Sequence, residues 1–165
     1  MFQSAIAFLE TQGVPTPFAT AIIRLLLGSI CGGLIGLERE MKGRPAGLKT
    51  FSLVCMGATL VMVTNEFIYV NVANSTGDSA RMAAQVISGI GFLGAGTIMT
   101  TGNDRVKGLT TAAALWVTAA IGIAIGTGFC FGGIAGLIVL YLSSFTYRYI
   151  CLLYTSPSPR DMRRS

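Results

Sequence analysis

The sequence predicts an all-α polytopic membrane protein, a bundle of about five transmembrane helices. Three observations carry this. Hydrophobic residues make up 52% of the chain and charged residues 12%, against roughly 25% charged in an ordinary soluble domain. Apolar runs long enough to cross a bilayer recur from Phe18 onward. The basic residues gather in short loops between those runs, which is the pattern left by membrane insertion.

A helix rising about 1.5 Å per residue needs about 20 mostly apolar residues to cross roughly 30 Å of hydrocarbon. Five windows meet or approach that length: Phe18 to Leu37, Phe51 to Val70, Met82 to Thr101, Leu109 to Gly126, and Gly128 to Ile150. Pro15 and Pro17 punctuate the start of the first, and Arg44, Pro45 and Gly47 mark the turn into the second. Residues 17–150 therefore read as one transmembrane domain. Residues 1–16 read as an N-terminal interfacial segment, because Phe2, Ile6 and Leu9 share one helical face and no basic n-region of a cleaved signal precedes them.

Loop charge sets the expected orientation. Arg39, Lys42, Arg44, Lys49, Arg105, Lys107 and Arg148 fall on one side and Arg81 on the other. The amino end is thus expected outside and the carboxyl end in the cytoplasm. The net charge of +5 is spread over these loops rather than along a basic, aromatic-interleaved arm, so nucleic acid is not an expected partner; the lipid bilayer is.

Packing and chemistry separate next. Gly126-Thr127-Gly128 between the last two spans forces a tight reversal, making them antiparallel neighbours. Gly28, Gly32 and Gly36 in the first span and Gly128, Gly132 and Gly136 in the fifth have the spacing of close-approach ridges. Ser52, Thr59 and Glu66 recur every seven residues on the second span. Arg81, Gln85 and Ser88, spaced by four and three residues, form a polar stripe on the third and run into the glycine-rich stretch holding Gly91 and Gly94. Both stripes are expected to face the bundle interior, either as interhelical hydrogen bonds or as a substrate path. The third-span set is the candidate functional face.

Arg24 in the first span is costly in hydrocarbon, roughly 3 kcal/mol at the bilayer centre. Counting along antiparallel helices brings it near the depth of Glu66, so the two form a candidate buried ion pair, with Arg81 able to join them. At the other end Glu38, Glu40 and Asp104 are weak candidates for holding a hydrated Mg2+, which keeps most of its waters; a solvated, salt-bridged surface is favoured over a metal site there. No resident cofactor is expected.

Gly89-Ile90-Gly91-Phe92-Leu93-Gly94 matches the letters of a dinucleotide fingerprint, but that motif needs a preceding strand and an acid about 20 residues on. Here it lies inside an apolar span, and a glycine-rich, broken membrane helix is the expectation instead. Cys31, Cys55, Cys130 and Cys151 lack metal-ligand spacing and read as packing residues. With no histidine and no nucleophile set, the chain is not expected to be an enzyme.

Several blocks carry a family likeness in order and spacing: Gly36-Leu37-Glu38-Arg39-Glu40, Ala46-Gly47-Leu48-Lys49-Thr50, the run from Arg81 to Gly96, and the run from Val106 to Trp116. In these the chain resembles the MgtC/SapB family from about Ala21 to Arg148. The resemblance implies a five-helix inner-membrane domain linked to magnesium homeostasis and growth under magnesium limitation and, in some pathogens, to survival inside phagocytes. It also implies a regulatory role as readily as transport, with another inner-membrane complex such as the ATP synthase as partner, and a homo-oligomer is a further expectation. A small Mg2+ or other ion transporter or channel is the alternative. Longer members carry a soluble domain after the fifth helix. Residues 151–165 here read instead as a disordered basic tail that resembles translated adapter sequence, on which reading the chain is a fragment.

Overall fold

The computed structural model describes residues 16–72, 78, 80–101 and 105–154. The expected interfacial segment, the tail from residue 155 and Asp104 lie outside the described residues. Five helices and one small ribbon follow in order: α1 Thr16–Met41, α2 Leu48–Asn71, α3 Arg81–Gly96, β1 Met99–Thr101, β2 Arg105–Lys107, α4 Leu109–Gly126 and α5 Cys130–Tyr154. The fifth helix thus continues past Ile150, where the basic tail was expected to start. Among the described residues, four helices are long and apolar enough to cross a membrane.

The exception is α3. Its 16 residues rise about 24 Å, short of the hydrocarbon thickness, and helix does not continue to Thr101 as the hydropathy suggested. The glycine-rich stretch is unbroken helix from Gly89 to Gly96; the break comes after it. Thr97 turns its hydroxyl back onto the Gly94 carbonyl at 2.8 Å, and the chain extends into β1, which pairs antiparallel with β2, Thr100 opposite Val106. Gly108 then starts α4 with a φ of +96°, and a Cβ there would strike the Thr97 carbonyl. Only glycine accepts both conditions, so it folds α4 back along α3.

The core lies among α1, α2 and α4, around Cys31, Ile35, Phe51, Cys55, Leu115 and Ile125. Small residues bring these backbones together. On α1, a Cβ at Gly28 would collide with Thr59, at Gly32 with the Phe51 carbonyl and Cys55, and at Gly36 with Leu48. The expected first ridge is therefore the α1–α2 contact. Gly122 and Gly126 do the same for α4 on α2, meeting Cys55 and Ala58, then Met62 and Thr59.

The expected ridge on the last helix is different. Gly128 lies in the reversal with φ +87°, Gly132 makes room for its own neighbour Phe129, and Gly136 has only ordinary contact with Ile121. The glycine of α5 that closes on α4 is Gly133, against Ile125 and Ile121. Residues 132 and 133 point about 100° apart on a helix, so the four-residue spacing marked the wrong side. Tyr141 ties α5 to α1 by donating its hydroxyl to the Leu34 carbonyl at 2.7 Å.

Candidate functional site

The polar stripe of α2 faces inward and is bonded along its length. Ser52 meets the Ser29 hydroxyl at 2.9 Å and donates to the Ser29 carbonyl at 3.1 Å. Thr59, fully buried, donates to the Cys55 carbonyl at 2.9 Å, with the Gly122 carbonyl of α4 also in reach at 3.1 Å. Glu66 accepts from the Arg24 guanidinium in an ion pair.

Arg24 does more than pair. The same nitrogen donates to the Gly126 carbonyl at 3.1 Å, satisfying an end carbonyl of α4 where the helix dipole favours a cation. One side chain thereby joins α1, α2 and the end of α4. Its side chain is 15% exposed and that of Glu66 is 52%, so most of the desolvation falls on the arginine. Beside them a cleft of about 820 Å3 opens between α1 and α2, lined by Phe18, Ala21, Arg24, Val63, Glu66 and Phe67.

The third-helix stripe departs from expectation. Arg81, Gln85 and Ser88 are exposed and point out of the bundle. The opposite side of α3 packs inward, with Val86 and Ile90 joining Ala58 and Ala119 in a small apolar cluster. Val86, Ile90 and Leu93 border an apolar pocket of about 340 Å3 against Leu53, Val54 and Gly57. The five residues of the candidate face are not on one face: Gly94 is buried, and a Cβ there would touch Ala112, whereas a Cβ at Gly91 would meet open space. Arg81 consequently does not join Arg24 and Glu66. The avoidance of lipid by polar groups favours this stripe inward, but Val86, Ile90 and Gly94 take the inner face of α3 and Phe92 is left outward beside the stripe.

At the opposite end Glu38 pairs with Lys42 one turn on. Glu40 folds over the turn and accepts from the Leu48 amide at 2.9 Å, satisfying an orphan donor at the start of α2. Gly47 leaves room for that carboxylate. Among the described residues no group of three His, Cys, Asp or Glu side chains is placed to hold a metal. Cys31, Cys55 and Cys130 are free thiols, the first two buried in the core.

Apolar helices of spanning length, closed on each other through glycine contacts and with the charge of Arg24 paired to Glu66, define a polytopic helical membrane protein. The chain belongs to the MgtC family, whose pattern it matches over residues 25–151. It is 46% identical over 127 residues to an Escherichia coli K12 protein named putative magnesium transporter YhiD, covering 75% of this chain and 59% of that one. It is 42% identical to protein MgtC of Salmonella typhimurium LT2, covering 77% and 52%. Protein SapB of Bacillus subtilis is 37% identical, covering 74% and 54%. The chain thus spans between about half and three fifths of the length of these relatives. No solved structure matches it.

Proposed function

We propose that the chain is the transmembrane part of a magnesium-linked protein of the bacterial inner membrane that regulates rather than conducts. The observation that supports this is the closed interior. Each polar group of the α2 stripe is bonded to α1, to α4 or to its own helix, and glycine contacts bring the backbones together between them. A path for a divalent cation needs several oxygens free to replace or support its hydration shell; the α2 stripe is already engaged, and the buried side-chain oxygens left without a partner among the described residues are two, the Thr111 hydroxyl on α4 and one Glu38 oxygen on α1. The link to magnesium is drawn from relatives such as YhiD, whose name carries that ion. Survival inside host cells and an ATP synthase partner, both implied by the family resemblance, belong to this regulatory reading.

The alternative is a small Mg2+ or other ion transporter or channel. The cleft beside half-exposed Glu66 favours it, although the Arg24 charge opposes a cation there. Purified protein in liposomes loaded with a magnesium-sensitive dye separates the two. The regulatory reading expects magnesium entry no faster than in empty liposomes, and saturable uptake abolished by Glu66→Gln would replace it with the transporter.

In the orientation we propose, the end bearing Arg39, Lys42, Arg44, Lys49 and Lys107 faces the cytoplasm. A reporter active only in the periplasm should be silent when fused after Arg148 and active when fused near Ser75. The reverse pattern would invert the assignment.

A further inference from the structure

Among the described residues, one side of α3 has no neighbour in the bundle. Arg81, Gln85, Ser88 and Phe92 follow at intervals of four, three and four residues, which places them along one helical face. All are exposed, and Phe92 is 84% exposed. Gly89 and Gly96 flank the ring, and a Cβ built on either meets nothing within 4 Å. The surface is therefore a projecting aromatic ring beside stretches of bare backbone, with a hydroxyl and an amide one and two turns nearer the helix start.

Lipid is a poor neighbour for such a surface. Gln85 lies about 6 Å and Ser88 about 10 Å along the axis from Arg81, which takes both groups toward the hydrocarbon, where no water meets their donors and acceptors. Apolar side chains on the outward faces of the other helices have no such conflict. Something with matching polar groups and a matching shape must cover this one.

We infer that the outward face of α3 is the contact between two copies of this chain, packed α3 against α3 about a two-fold axis along the membrane normal. Three features fit a second copy. A glutamine amide carries both donors and an acceptor, so Gln85 can bond its own counterpart across the axis. The surface is complementary to itself in shape, because each copy's Phe92 can lie over the bare backbone at Gly89 and Gly96 of the other, as a symmetric contact requires. The charges also match: Asp78, exposed at the start of α3, holds the Ala80 amide with one oxygen at 2.9 Å. In the two-fold arrangement each Arg81 is brought toward the other copy's Asp78 rather than facing a like charge alone.

Disulfide trapping in native membranes tests this, with Ser88→Cys as the reporter on the interface and Val139→Cys on the outward side of α5 as the control. Mild oxidation should convert most Ser88→Cys protein to a species of twice the mass, and leave Val139→Cys at the background set by the natural cysteines. Adding Gly89→Leu to Ser88→Cys should cut the trapped dimer about ten-fold, the effect of losing about 1.4 kcal/mol of packing. A Cβ at position 89 meets nothing within 4 Å and the position is exposed, so membrane abundance should be unchanged and the loss attributable to the contact. Equal trapping at residues 88 and 139, trapping of Ser88→Cys to a different membrane protein, or insensitivity to Gly89→Leu would each overturn the proposal. So would a single photobleaching step per particle for fluorescently tagged chain at low density in liposomes.

Discussion

The polar stripes of α2 and α3 look alike in sequence and end in opposite places. Ser52, Thr59 and Glu66 turn inward and are bonded to α1, α4 and their own helix; Arg81, Gln85 and Ser88 turn outward. The neighbours make the difference. α2 is held between glycine-lined faces of α1 and α4, where backbones approach closely enough for short hydroxyls to reach carbonyls across the contact. α3 rests on α2 and α4 through Val86, Ile90 and Gly94, which leaves its polar side unmatched. A polar stripe within a membrane helix therefore marks a contact without saying whether that contact lies inside one chain or between chains.

The largest effect that would break this comparison is at the α1–α2 ridge. Gly32→Leu pushes a side chain into the Phe51 carbonyl and Cys55, and two backbones must separate to admit it. Overpacking costs about 1 to 3 kcal/mol or more in a close-packed core, so folded yield should collapse, as read by fluorescence-detected gel filtration. Gly89→Leu on the open side of α3 should keep wild-type yield. Similar losses at both positions would erase the distinction between inner and outer faces.

The Arg24–Glu66 pair comes next. Arg24→Leu should destabilise the protein more than Glu66→Leu, because the arginine also holds the Gly126 carbonyl and is the less exposed partner. Either change strands a charge, and removing one partner of a buried pair costs about 3 to 5 kcal/mol at full burial, less here because Glu66 is half exposed. The double variant should be less damaged than the sum of the singles in a thermal-stability cycle. Strict additivity would mean that the two side chains are not coupled.

A smaller loss is expected at Thr59. Thr59→Val keeps the shape but leaves the Gly122 carbonyl without its side-chain donor, and interhelical bonds of this kind contribute about 0.6 to 2 kcal/mol in membranes. The midpoint of thermal unfolding in detergent should fall by a few degrees. An unchanged midpoint would show that the inward stripe contributes little to holding the bundle together.

The smallest effect on stability should come from Gln85→Leu, since within one chain Gln85 is exposed. On the proposed function, cells dependent on this protein should nonetheless grow poorly in low magnesium, with the variant present at normal abundance. Wild-type growth at normal abundance would remove α3's outer face from the activity. Gly94→Leu does not test the same surface, because Gly94 packs against Ala112 inside the bundle and the change would act through folding.

The sequence by itself determined the membrane class, four of the five spans to within a few residues, the α1 glycine ridge and the partnership of Arg24 with Glu66. Each follows from a large, local term: apolar length against bilayer thickness, or a charge too costly to leave alone in hydrocarbon. Only the tertiary structure decided which glycines let helices approach, replacing Gly132 with Gly133 and adding Gly122 and Gly126. It also decided that Glu40 spans the turn to the start of α2, and that α3 ends at Gly96 in a ribbon with its polar side outward. Periodicity defines the faces of a helix, but the choice among them depends on summed packing against neighbours distant in sequence. For α3 the apolar side at Val86 and Ile90 turned toward α2 and α4, and the polar stripe was left on the outside.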